Sequence, residues 1–308
     1  MSVTRQGKGA AIAAVLTFAA VWGGSVYYLF AAGNEDWFTG VLVMAIFGLV
    51  LSGAAWLLTR GAKAPSIEVK RPALESGAIL LYLAIYAVLF LGVGMSAARA
   101  ALPAGQGQEL LVMGLKLLVH IVLPIGLLVL LGARIAPLWQ AGLSGRKFWR
   151  TLIVLGAIFL GLLCVISPSL RDIAATETPL ASLLWVAPVS FIWIAIEAGL
   201  NEEFLFRAVL QTRLQALFKS AWAGVFISAL IFGVAHAPGL YLRGAGADGS
   251  SADLWQVIAY TFAVLAPMGL LFGLIYARTK SLLLVVLLHG LVDVLPNLDD
   301  FIRTWISP

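Results

Sequence analysis

The chain has 308 residues, 61% of them hydrophobic and 11% charged, with a mean hydropathy of +0.99. A soluble domain averages about 25% charged residues, so composition excludes an ordinary soluble protein. The net charge of +5 is spread over short loops and reads as membrane topology rather than as a nucleic-acid patch. The single cysteine, Cys164, rules out an internal disulfide, and no Gly-rich phosphate loop or CxxC pair is present.

Apolar runs of about 17 or more residues, long enough to span a bilayer, recur from end to end. They are too long and too uniformly apolar for barrel strands, which alternate over about ten residues. The fold class is therefore all-α, a polytopic transmembrane bundle, because helices satisfy their own backbone in lipid. Arg5 and Lys8 precede a first span over Ala10–Ala32, longer than the apolar core of a secretory signal. After Glu35 and Asp36 comes a second span over Trp37–Leu58. A basic loop with Arg60, Lys63, Lys70 and Arg71, broken by Pro65 and Pro72, leads to a third span over Gly77–Ala97. Gly105 and Gly107 mark the next loop.

The fourth span, Leu110–Leu131, holds Lys116, His120 and Pro124. Arg134, Arg146, Lys147 and Arg150 lie in another basic loop, before a fifth span over Thr151–Ile166. Apolar character resumes at Leu180 and runs to Phe218, too far for one simple span. It is either a span plus an interfacial helix or one long tilted helix. Trp222–Leu240, Leu254–Tyr276 and Ser281–Pro296 follow, with a Gly-rich loop at 243–253. This makes about nine helices. With the basic loops in the cytoplasm, the N-terminus is inside and the protein is a multi-pass protein of the cell (inner) membrane. Gly269 and Gly273 form a GxxxG that reads as close internal packing. Trp37, Trp149 and Trp255 suit interfacial belts.

Inside the long apolar stretch 180–218 sits NEEFLFRAVL, Asn201–Leu210. Charges at membrane depth cost at least about 2.5 kcal/mol each and by default mark a function. Glu203 and Arg207 share a helix face and can pair. Glu202 is turned from Glu203 by about 100°, so the two carboxylates need not do the same work. Two further clusters have the same helical spacing, Phe232 with His236 and His289 with Asp293. His289 lies about 12 Å into its span, near the midplane of a core about 30 Å thick. The long-helix reading puts Glu202 and His236 at similar depth and predicts a buried cavity open to one side.

A carboxylate and a histidine that converge can hold and deprotonate a water. A second histidine with a hydrogen-bonding neighbour can stabilise an oxyanion. Alternatively, Glu202, His236 and His289 could bind zinc, leaving a fourth position open. Both readings lead to hydrolysis within the membrane. No HExxH pair and no GxSxG elbow is present. Lys116 and His120 share one face of the fourth helix. They could line a substrate path, but snorkelling and helix–helix hydrogen bonding are the plainer reading.

On these residues the chain resembles the CPBP intramembrane proteases, also called the CAAX prenyl protease 2 or abortive-infection family. The family pattern is EExxxR, FxxxH and HxxxN on successive late helices, read here as Glu202-Glu203-xxx-Arg207, Phe232-xxx-His236 and His289-xxx-Asp293. The flanks FRAVLQ, AHAPG and YARTKSLLLVVLLH fit as well. The resemblance covers about residues 181–298 and implies a catalytic core there, with accessory helices over 1–180 and a tail over 299–308. It implies Glu202 as general base, His236 holding the water, His289 and position 293 lining the oxyanion site, Glu203 and Arg207 as a supporting ion pair, and Phe232 shaping the site. Asp293 stands where the prenyl-protein proteases have Asn. An ionised Asp cannot donate to an oxyanion, which leaves it to orient His289, act as the neutral acid or ligate a metal. The expected function is an intramembrane endopeptidase acting on a membrane protein or peptide, with or without an attached lipid, near the cytoplasmic side. Its cofactor is none or zinc. Its setting is the lipid bilayer, and no nucleic acid is involved. The alternatives are a non-catalytic scaffold or bacteriocin-immunity-type partner, and a proton-relay transporter, which the lack of repeat symmetry disfavours.

Overall fold

A computed structural model describes residues 5–243 and 253–306 of the chain. Among them every regular element is helical, and the bulk of the expected Gly-rich loop at 243–253 lies outside the described residues. Among the described residues, eight helices are long and apolar enough to cross a membrane. They are α1 (Gly7–Ala31), α2 (Asp36–Leu58), α3 (Pro72–Ala100), α4 (Gln106–Leu130) and α5 (Gly145–Ile166), then, after a short helix α6 (Ser169–Ala174), α7 (Leu180–Leu217), α8 (Ala221–Leu242) and α9 (Leu254–Thr279). The last pair, α10 (Leu282–Asp293) and α11 (Leu298–Trp305), is bent by 83° and would be a ninth span if counted as one. Pro296, which cannot continue the hydrogen-bond ladder, sits at the bend. The stretch expected as a tail is largely α11, an amphipathic helix whose Phe301 and Ile302 pack with Ile173 of α6 and Val186 of α7.

The 180–218 stretch is one continuous helix rather than a span plus an interfacial segment. At about 1.5 Å per residue, its 38 residues exceed the hydrocarbon thickness. Widened π-type turns occupy Ala195–Leu200 and Phe204–Gln211, with Asn201–Glu203 between them. Such turns are frequent where a helix must aim functional side chains.

The basic loops gather at one end of the bundle. Arg278 of α9 reaches Thr59 after α2, the Gly142 N–H donates to the Thr279 carbonyl, and Arg150 of α5 donates to the Leu58 carbonyl. A buried ion pair ties that end together: Arg213 Nε of α7 lies 3.3 Å from Glu75 Oε2 of α3, both side chains 1% exposed. At the opposite end, Asn34 bridges to Gln256 at 3.0 Å. Trp149 and Trp255 are exposed at opposite ends of the bundle, as interfacial belts require.

The C-terminal helices form the dense part of the molecule, and small residues let them close. Gly269 of α9 packs on Ala229 and Phe232 of α8, and Gly273 on Gln211 of α7 and Val225 of α8, so the GxxxG works inside the chain. Between α7 and α10 the approach is tighter. A Cβ on Gly199 would lie 2.6 Å from the Val286 carbonyl oxygen, and one on Gly290 would lie 2.9 Å from the Ala195 Cβ. Since backbone cannot yield as a flexible side chain does, Gly199→Ala should destabilise the protein by about 1–3 kcal/mol. Thermal unfolding in detergent should show a lowered Tm. Gly23→Ala on α1, where a Cβ meets nothing within 4 Å, should leave Tm unchanged.

Candidate active site

The close α7–α10 contact sets His289 against Glu203. Glu203 is fully buried and accepts from Arg207 Nε at 2.9 Å, one helical turn on along α7. Arg207 Nη2 reaches the other carboxylate oxygen at 3.5 Å. His289 Nδ1 lies 2.8 Å from Glu203 Oε1, so one carboxylate anchors a guanidinium of its own helix and an imidazole of another. The guanidinium also rests on the Phe232 ring, 4.6 Å from its centroid. Phe232 in turn meets Phe206 of α7 edge to face at 5.2 Å. The His289 ring stacks on Phe272 of α9, centroids 5.0 Å apart and planes 6° from parallel. The imidazole orientation is thus fixed at one edge and on one face.

Glu202, on the adjacent face of α7, points elsewhere. Its Oε2 lies 3.6 Å from His236 Nε2 and 3.9 Å from His289 Nε2. His236 occupies a break in α8 between Ala235 and Ala237. Pro238 accounts for the break: it lacks an N–H and its ring would clash with the Val234 carbonyl. The His236 N–H accordingly pairs with the Gly233 carbonyl, one residue short of the helical partner. The ring Nδ1 lies 2.8 Å from the Phe232 carbonyl, an acceptor only, so Nδ1 carries the proton and Nε2 faces Glu202. Asp293 Oδ2 lies 3.1 Å from His289 Nε2. Asp293 thus sits against the second ring nitrogen of His289.

Glu202 and His236 line a cavity of about 450 Å³. Its opposite wall comes from α3 and α4, through Tyr86, Arg99, Lys116 and His120. Lys116 is ion-paired to Glu197 of α7. His120 donates from Nδ1 to the Lys116 carbonyl at 2.9 Å, and its Nε2 accepts from the Tyr86 hydroxyl at 2.8 Å. Lys116 and His120 therefore make the helix–helix bonds their spacing suggested and also face the candidate site. Glu197 is the partner that sequence reasoning missed. Its only signal was a carboxylate in an apolar stretch, five residues before Glu202.

Zinc would need donors grouped around one point. Among the described residues no three His, Cys, Asp or Glu side chains are grouped to hold a metal ion, and the His289 Nε2 is already met by Asp293.

The anchoring pair carries a direct expectation. Removing Arg207 strands a buried carboxylate, a change that costs about 3–5 kcal/mol. Arg207→Met should therefore lower Tm sharply or abolish folded protein on size-exclusion chromatography. The double variant Arg207→Met with Glu203→Leu should recover much of that loss.

No curated protein and no solved structure matches the chain. A family match does exist, over 181–295, a stretch that contains Glu202, Glu203, Arg207, Phe232, His236, His289 and Asp293. It agrees with the resemblance read from the three motifs: residues 181–295 match the family described as type II CAAX prenyl endopeptidase, Rce1-like.

Proposed function

We propose that the protein is an intramembrane endopeptidase in which Glu202 activates water against a peptide bond of a membrane protein or peptide. The observation that carries this reading is the convergence of Glu202 Oε2 on His236 at 3.6 Å and His289 at 3.9 Å, in a cavity walled by membrane-spanning helices. The Glu202 carboxylate and the unprotonated Nε2 of His236 both seek a hydrogen-bond donor. A single water donating one O–H to each satisfies both, and its oxygen lone pairs are then free to attack. Proton transfer to Glu202 accompanies attack, and the same carboxyl group returns the proton to the leaving amine. His289, held at Nδ1 by Glu203 and with Nε2 3.1 Å from Asp293, lies beside the reacting carbonyl and polarises the developing oxyanion. Asp293 acts through His289 and makes no donation of its own.

Cavity lining from Arg99, Gly239 and Leu240 comes from the ends of α3 and α8 remote from the basic loops. With those loops cytoplasmic, the site faces the outer half of the membrane, opposite to the cytoplasmic side expected from sequence. The substrate would enter from that side, and the N-terminus would remain inside.

The experiment is a comparison of membrane-peptide fragments from cells carrying wild-type protein or Glu202→Gln. Fragments present with wild type should vanish with Glu202→Gln. Loss of a general base costs about 10²–10⁴-fold, below detection in such a profile. Identical profiles together with full cellular function of Glu202→Gln and His236→Ala would instead identify a non-catalytic membrane partner. Asp293→Asn keeps an oxygen facing His289 and should retain activity, whereas Asp293→Leu should lose it at unchanged Tm. Cleavage of a fragment identified in the wild-type profile measures both.

A further inference from the structure

At the end of the bundle that carries the basic loops, α2, α8 and α9 enclose another cavity, of about 430 Å³. Val225 of α8 and Leu274 of α9 give it apolar walls, while Trp56, Trp222, Lys63 and Arg278 bring aromatic and basic side chains to it. The two indoles stack across the helix boundary, centroids 5.7 Å apart and planes 15° from parallel, and each is 41% exposed. The Arg278 guanidinium lies 3.7 Å from the Trp56 ring centroid. Its Nε donates to Thr59 Oγ1 at 2.7 Å and its Nη2 to the Thr59 carbonyl at 3.3 Å.

These partners fix Arg278 in place without neutralising it. Four cations elsewhere in the bundle are matched: Lys116 with Glu197, Arg207 with Glu203, Arg213 with Glu75 and Arg99 with Glu109. Among the described residues, Arg278, Lys63 and the neighbouring Arg60 enter no ion pair. Uncompensated positive charge therefore surrounds a cavity whose inner wall is apolar and whose mouth has the tryptophans of a membrane–water boundary. A ligand that fits has an anionic group at the water level and hydrocarbon below it. A guanidinium held flat and preorganised is suited to phosphate oxygens, and basic pockets between transmembrane helices bind anionic head groups.

We infer that this cavity binds the phosphate headgroup of an anionic phospholipid, with its acyl chains against Val225 and Leu274. The site lies apart from the Glu202 cavity and does not depend on the protein's being a peptidase. The test uses the full chain purified in neutral detergent. Dioleoylphosphatidylglycerol, dioleoylphosphatidylcholine or inorganic phosphate is added, with Tm and bound adducts on native mass spectrometry as readouts. The glycerol lipid should raise Tm and be retained as an adduct, and the choline lipid and inorganic phosphate should do neither. Each removed charge should weaken binding by about fivefold, the equivalent of about 1 kcal/mol per basic residue near an anionic headgroup. Lys63→Gln, at an exposed position, should show that loss at unchanged lipid-free Tm. Arg278→Gln with Lys63→Gln should show the compounded loss. Arg171→Gln, remote and 83% exposed, should bind as wild type does. Equal stabilisation by the choline lipid or by inorganic phosphate would overturn the proposal, as would undiminished binding to Lys63→Gln and to the double variant.

Discussion

The Glu203 carboxylate is the constraint on which the rest of the site depends. It is fully buried at membrane depth, where an ionised group without partners is prohibitively costly. Arg207 on the same helix and His289 on α10 meet it from two directions. The glycines at 199 and 290 exist, in effect, to let α10 come close enough for the second contact. Once His289 is pinned, its other nitrogen can face only the cavity side, toward Glu202 and Asp293. A buried ion pair thus converts helix packing into the aim of an imidazole.

The two adjacent glutamates divide along the helix surface. Glu203 faces inward and is wholly spent on structure, whereas Glu202 is 21% exposed along its side chain and borders the cavity. On the proposed reading, only Glu202 exchanges protons during turnover. The N-terminal helices are more than accessory packing in this picture. Tyr86 of α3 and His120 of α4 close the far wall through their mutual hydrogen bond, and the Lys116–Glu197 pair ties α4 to the same stretch of α7 that presents Glu202. The family match over 181–295 therefore covers the reacting groups without covering their enclosure.

Much of this was legible in the sequence because its causes are local. Spans announce themselves by length and apolarity, and the pairs Glu203–Arg207, Phe232–His236 and His289–Asp293 share helix faces at four-residue spacing. The mutual approach of the three clusters followed from depth alone. The long-range partners were not legible. Glu75 and Arg213 are 138 residues apart, and Lys116 and Glu197 are 81 apart, so no spacing rule joins them. The unbroken course of α7 was legible, because the long-helix reading alone brought Glu202 to the depth of the two histidines. A transmembrane environment tolerates Pro188 and the acidic triplet where neighbouring helices supply partners. The side to which the cavity opens was not legible either, since it depends on which helix ends contribute its wall.

The central claim is that Glu202 acts on water while Glu203 only holds the site. It is tested most directly with purified protein in lipid vesicles offered a library of transmembrane peptides, products being read by mass spectrometry and folding by Tm. The account predicts cleavage by the wild type and none by Glu202→Gln, with the two sharing the same Tm. Cleavage by Glu202→Gln at the wild-type rate would contradict it.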